Sequence, residues 1–162
     1  LEKLNDYQKG VSVNVGVTQG GSRSNVIAEQ AKAEIDLRIP DMQIGETVLK
    51  KIEEIASNPV DARVMIGLSG GLNRPPMVRT KTTDTLLNIV KDAAHLLDME
   101  IRHHGAGGGS DGNFVAAKGV PVVDGMGAIG DNYHNEGEYI YKNSLLTKAK
   151  LAALALYQIC NR

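Results

Sequence analysis

Three stretches of this sequence combine residue types and spacings that could do chemistry. The first is His103-His104-Gly105-Ala106-Gly107-Gly108-Gly109-Ser110-Asp111-Gly112-Asn113. A glycine run between a strand end and a helix start lets backbone approach a ligand closely, and a helix N-terminus offers free N–H groups to an anion. No Gly-Lys-Ser/Thr follows, so it is not a P-loop, and no complete βαβ unit frames a dinucleotide fingerprint. A carboxylate or other polar ligand fits the loop; so does a plain turn in which Ser110 or Asp111 caps the next helix. The second stretch is Gly130-Asp131-Asn132-Tyr133-His134-Asn135-Glu136-Gly137-Glu138-Tyr139. A histidine on a polar loop is available to a metal, and Glu136 or Glu138 could orient its far nitrogen. A lone surface histidine is the commoner case, and a catalytic zinc needs about three protein ligands. The third sets Ser24-Asn25-Val26-Ile27 beside Asp36-Leu37-Arg38. An Asn before a strand and an Arg on its polar face can fork a carboxylate. A loop Asn and a solvated strand Arg are the commoner case, and an exposed Asp36–Arg38 ion pair of little energetic weight is a further alternative.

These residues need elements to position them. Val11 to Thr18 alternates apolar and polar with period two, as does Ala31 to Ile39, where Ala33, Ile35, Leu37 and Ile39 share a face and Pro40 ends the run. Glu46 to Ser57 has helical spacing at Val48, Ile52, Ile55 and Ala56, and Arg63 to Leu68 reads as a third strand. Strand, strand, helix, strand predicts an open antiparallel α+β layer. Two Gly and two Pro in Gly70–Pro76 mark a linker. Beyond it, Thr83 to Leu97 predicts a helix on the stripe Leu86, Ile89, Val90, Ala93, Leu96 and Leu97. Glu100–His103 predicts a short strand, Phe114–Ala117 a short helix and Val120–Val123 a buried strand. The last helix is expected from an Asn143 cap to Asn161, with Leu145, Ala149, Ala152, Leu156 and Ile159 inward. This half has the grammar of an α/β domain with too few strands to complete a sheet. Leu1 and Leu4 read as the last turn of a helix whose body precedes residue 1.

Composition narrows the classes. The chain has 162 residues, 42% of them apolar and 23% charged, with a formal net charge of −1. That supports a globular protein with a real core and no broad nucleic-acid footprint. No run approaches the roughly 18 apolar residues of a membrane helix. The single cysteine, Cys160, excludes an internal disulfide framework and a Cys-based zinc cluster. Half of the 18 glycines fall between 105 and 130.

In order and spacing, these blocks resemble one family. Gly20-Gly21 to Ser24-Asn25-Val26-Ile27, then Glu34-Ile35-Asp36-Leu37-Arg38, is similar to the lid signature of the zinc-dependent M20-type metallopeptidase and aminoacylase superfamily. That group includes glutamate carboxypeptidase, acetylornithine deacetylase and succinyl-diaminopimelate desuccinylase. Gly107-Gly108-Gly109-Ser110-Asp111-Gly112-Asn113-Phe114, then Gly119 to Gly127, then His134 with Glu138-Tyr139, resemble its C-terminal catalytic block, nearest the glutamate carboxypeptidase branch. The resemblance implies an α/β fold. Residues 1–72 would be the second portion of a ferredoxin-like lid and dimerisation domain, and 73–162 the closing segment of the catalytic domain. It implies that His134 is a metal ligand with Glu138 behind it. Asn25, Arg38, Gly107, Gly108, Gly109, Ser110 and Asp111 would bind substrate. Where some family carboxypeptidases carry an arginine just ahead of the glycine loop, this sequence has His103-His104-Gly105-Ala106. The implied reaction is zinc-assisted hydrolysis of an amide beside a free carboxylate in a small peptide or N-acyl amino acid. Two zinc ions, a homodimer formed through the lid and a cytoplasmic location are expected. The remaining metal ligands and the general base would lie upstream of Leu1, so these residues alone would be inactive. A non-catalytic dimerisation or small-molecule binding module is the alternative.

Overall fold

The computed structural model describes residues 1–161. It divides into two compact units, Leu1–Val78 and Arg79–Arg162, a division that falls just past the expected boundary at 72. The fold class is mixed α/β, built from helices and two small antiparallel sheets.

In the first unit, β1 (Ser12–Gly20) and β2 (Ala31–Arg38) form an antiparallel hairpin. Val13 lies opposite Leu37 and Val15 opposite Ile35, which gives these four one common face. A bulge between Val15 and Val17 then shifts the register, and Val17 falls opposite Glu34. Strict alternation had put Val17 with Val13 and Val15; one extra residue, Gly16, moves it to the other face. α1 (Met42–Ser57) begins four residues before the expected Glu46 because Asp41 caps it, its Oδ1 accepting from the Ile44 N–H at 2.8 Å. Val48 and Ile52 turn inward to meet Val11 and Val13, with Leu4, Ile35, Leu37 and Ile44 around them. Gly45 is buried where a Cβ would run into Ile39. The chain start is a single 3₁₀ turn, Glu2–Leu4. Next to it Asn5 acts as a one-residue strand: its Oδ1 accepts from the Val13 N–H at 2.8 Å and its Nδ2 donates to the Val13 carbonyl at 3.2 Å.

The second unit packs α2 (Lys81–His95) on α4 (Lys142–Cys160), with α3 (Gly112–Ala116) between them in sequence. Thr80 caps α2, its Oγ1 accepting from the Thr83 N–H at 3.1 Å. Val90, Ala93, Ala94, Leu151 and Ala155 form the core, and Leu97, Met99, Ile101, Met126 and Leu154 pack against it. β3 (Gly130–Asp131) and β4 (Tyr139–Ile140) pair antiparallel, Gly130 opposite Ile140.

Three expectations are corrected. Residues 63–68, 100–103 and 120–123 form no strand. A strand exists only against a hydrogen-bonded neighbour, and β1–β2 and β3–β4 are the only ladders among the described residues. Val64, Ile66 and Leu68 are accordingly exposed, and Val120 is exposed rather than buried. The inward face of α4 is also different: Ser144, Leu151 and Ala155 are buried, whereas Leu145, Leu156 and Ile159 are exposed. The helix is apolar on more than one side, so periodicity alone cannot choose its phase. Asn143 does not cap α4; Tyr141 occupies that position without a side-chain cap bond. Among the described residues no helix is long and apolar enough to cross a membrane.

Candidate functional site

His134 sits at the tip of the loop joining β3 to β4, exposed to solvent. Its φ is 65°, and that of Asn132 is 62°. Asn tolerates the left-handed region through its short polar side chain, but histidine in it is a strained choice costing about 1–3 kcal/mol. Local bonds hold it there. The His134 N–H donates to Glu138 Oε2 at 3.4 Å, and the Glu138 N–H donates to the Asn135 carbonyl at 3.0 Å. Tyr133 Oη donates to the Gly130 carbonyl at 2.9 Å, and Asn135 Nδ2 donates to the Tyr133 carbonyl at 3.0 Å. Glu138 thus braces the backbone of His134. At the base of β4, Tyr139 and Tyr141 meet edge to face with ring centroids 5.4 Å apart. Hydrogen bonding to Tyr141 holds the Tyr139 phenol above its ordinary pKa.

The base of the same loop is closed from α4. The Tyr141 N–H donates to the Ile129 carbonyl at 2.8 Å. Ser144, only 8% exposed, accepts from the Ile129 N–H at 2.9 Å and donates its hydroxyl proton to the Tyr141 carbonyl at 2.6 Å. This serine stands one residue beyond Asn143, the expected cap. The available signal was a hydroxyl residue in the first turn after a loop, where Ser readily bonds back to main chain.

The glycine loop is held at its far end. Asn113 is buried and its Oδ1 accepts from the Ser110 N–H at 2.9 Å, while Ser110 Oγ accepts from the Gly112 N–H at 3.1 Å. Of the two expected caps, Ser110 therefore serves the start of α3; the Asp111 side chain makes no cap bond. Gly107, Gly108 and Gly109 are exposed in irregular backbone. Ahead of them Arg79 links two elements: its Nε donates to Asp84 Oδ1 at 2.5 Å, and its Nη1 lies 3.3 Å from His103 Nε2. Guanidinium only donates, so His103 Nε2 is the acceptor there.

In the first unit Arg38 Nε donates to Asp36 Oδ2 at 2.9 Å, an exposed ion pair. Arg38 lies opposite Ser12 at one end of the hairpin, and Asn25 lies in the connection at the other. At about 3.3 Å per residue, β2 alone spans roughly 23 Å from Ala31 to Arg38. The hairpin by itself does not bring Asn25 and Arg38 together. Among the described residues no group of three or more His, Cys, Asp or Glu side chains could hold a metal ion.

Comparison with known proteins gives a consistent picture. Residues 1–63 match the M20 peptidase dimerisation domain. Carboxypeptidase G2 of Pseudomonas sp. (strain RS-16) is 25% identical over 155 residues, covering 93% of this chain and 37% of that protein. Aminopeptidase PepT from Bacillus cereus shares the fold with a TM-score of 0.77 at 21% identity, over 93% of this chain and 40% of its own. The Bacillus subtilis YXEP protein, a dinuclear metal-binding peptidase of the M20 family, does so at 0.64 and 22% identity, over 91% and 41%. The chain thus spans about two fifths of the length of these relatives. Residues 1–63 thus match the M20 peptidase dimerisation domain, and the chain is similar over most of its length to these peptidases in sequence or in fold.

Proposed function

We propose that the chain belongs to a metal-dependent amidohydrolase of glutamate carboxypeptidase type that cleaves an amide beside a free carboxylate in a small peptide or N-acyl amino acid. The observation that carries this reading is His134: an exposed imidazole on a loop fixed by paired backbone at its base and held in a strained left-handed conformation. Strain held by its surroundings is a mark of functional loops. His134 would be one ligand of a zinc pair, with Glu138 behind it. The first unit would be the lid through which two copies dimerise, and Asn25 and Arg38 would meet the substrate carboxylate. Gly107, Gly108, Gly109, Ser110 and Asp111 would line the pocket. One imidazole falls short of the about three protein ligands a catalytic zinc needs, and among the described residues no group of donors would hold the metal alone. The others would come from the part of the enzyme that corresponds to the relatives' unmatched length.

The test is His134→Ala in the full-length protein, with His95→Ala as control. Metal content per chain and hydrolysis of N-acyl amino acids should both collapse in the first and persist in the second. Retained metal and activity in His134→Ala would remove the ligand assignment. A second reading, a dimerisation module without catalysis, is favoured by the extent of the dimerisation-domain match, residues 1–63. It requires self-association without hydrolysis by the full-length protein.

A further inference from the structure

We infer that Ser144 is a positioning residue whose buried hydroxyl closes the His134 loop at its base and so sets where the imidazole is presented. Ile129 and Tyr141 are the last residues before the loop's short ladder and the first after it. Their main chains meet directly in one bond, Tyr141 N–H to the Ile129 carbonyl at 2.8 Å. Ser144 supplies the rest. Its oxygen accepts from the Ile129 N–H at 2.9 Å and its proton goes to the Tyr141 carbonyl at 2.6 Å, while its own N–H donates to that same carbonyl at 2.9 Å. One hydroxyl therefore ties both ends of the loop to the first turn of α4, the helix that contributes Leu151 and Ala155 to the core. Beyond this clamp, among the described residues, the loop has a two-residue ladder and bonds among its own residues. At 8% exposure, water reaches the serine poorly and is a weak replacement for its bonds. The consequence for catalysis rests on His134 being a metal ligand; the clamp does not.

The test compares Ser144→Ala, Ser144→Cys and Ser144→Thr. Cysteine keeps the volume with weak hydrogen bonding, and threonine keeps the hydroxyl. Amide hydrogen exchange on the whole chain, without metal, should accelerate about tenfold or more across 129–141 in Ala and Cys and return toward wild type in Thr. Exchange at Val90 and Leu151 should stay put. In the full-length protein the Ala variant should lower kcat for N-acyl amino acid hydrolysis with KM little changed, and Thr should recover it. Unaltered exchange across 129–141 in Ala and Cys, or equal acceleration in α2 and α4, would overturn the inference, as would an unchanged kcat in an enzyme that His134→Ala inactivates. If His134→Ala itself leaves metal and activity intact, the functional reading fails on its own, and the exchange data still decide the clamp.

Discussion

The two loops that carry the second unit's candidate residues are both exposed, and they are held in opposite ways. The His134 loop is closed at its base by a ladder, a serine and a main-chain bond, with further bonds inside it. The glycine loop is tied where it enters α3, through bonds that include those of Ser110 and Asn113; Gly105 and Gly108 have no atoms near where a Cβ would stand. A hairpin finds its partners a few residues away, so it is complete on its own chain. A glycine loop between a strand and a helix takes its shape from the sheet beneath it. The flanking segments, 100–103 and 120–123, have no ladder to lean on among the described residues. The lesson is that pre-organisation is unevenly distributed: the His134 loop is closed by its own strands and by α4, whereas the glycine loop is anchored where it enters α3.

The largest expected effect that can break this contrast is at Gly130. A Cβ there runs into the Tyr139 carbonyl, a backbone atom that cannot swing aside. Gly130→Ala should cost about 1–3 kcal/mol of loop stability, read as faster amide exchange across 130–140. Asn113→Ala comes next. It removes a buried acceptor from the Ser110 N–H and should cost about 1–2 kcal/mol, read as a lower thermal midpoint of the chain. Gly108→Ala sharpens the contrast from the other side. With open space around the new methyl and no positive φ at that residue, stability should move by less than about 0.5 kcal/mol in denaturant unfolding. A loss as large as that of Gly130→Ala would mean the glycine loop is already fixed and the comparison false.

The same unevenness explains what could be read from the amino-acid sequence. Ile35, Leu37 and Ile39 alternate, and Val48 and Ile52 follow helical spacing, because these patterns are local; the hairpin and α1 were therefore legible. α1 starts ahead of its apolar stripe because Asp41 caps it, and a cap lies outside the apolar periodicity. The Gly16 bulge was not legible, since register is a property of two strands together. Residues 63–68 have strand periodicity and no partner, which no single-segment pattern reveals. In the site, His134 stood out only through resemblance of whole blocks. Ser144 carries the signal of a hydroxyl in a first helical turn, but its role depends on Ile129 and Tyr141 being brought side by side. The carboxylate fork is not legible from this hairpin either: Asn25 and Arg38 are close in sequence, but the hairpin sends them toward opposite ends.

The smallest effect probes the outer strand of the His134 loop. Tyr139 and Tyr141 share a hydrogen bond of 3.4 Å, and that bond, ahead of charge repulsion between the two, raises the Tyr139 phenol above its usual value of 10. The sign follows from which state keeps its proton longer. Above pH 10 the unfolded chain loses this proton before the folded chain does, so the contribution to stability is complete below 10 and is lost as pH rises through the folded value. Tyr141→Phe removes both the bond and the neighbouring phenol. Tyr139 should then ionise earlier, seen in the ultraviolet phenolate difference spectrum against wild type. The ring stack survives in phenylalanine, so amide exchange across 130–140 should change much less than in Ser144→Ala. Equal exchange effects would mean that the tyrosine pair, rather than the serine, is what holds the loop.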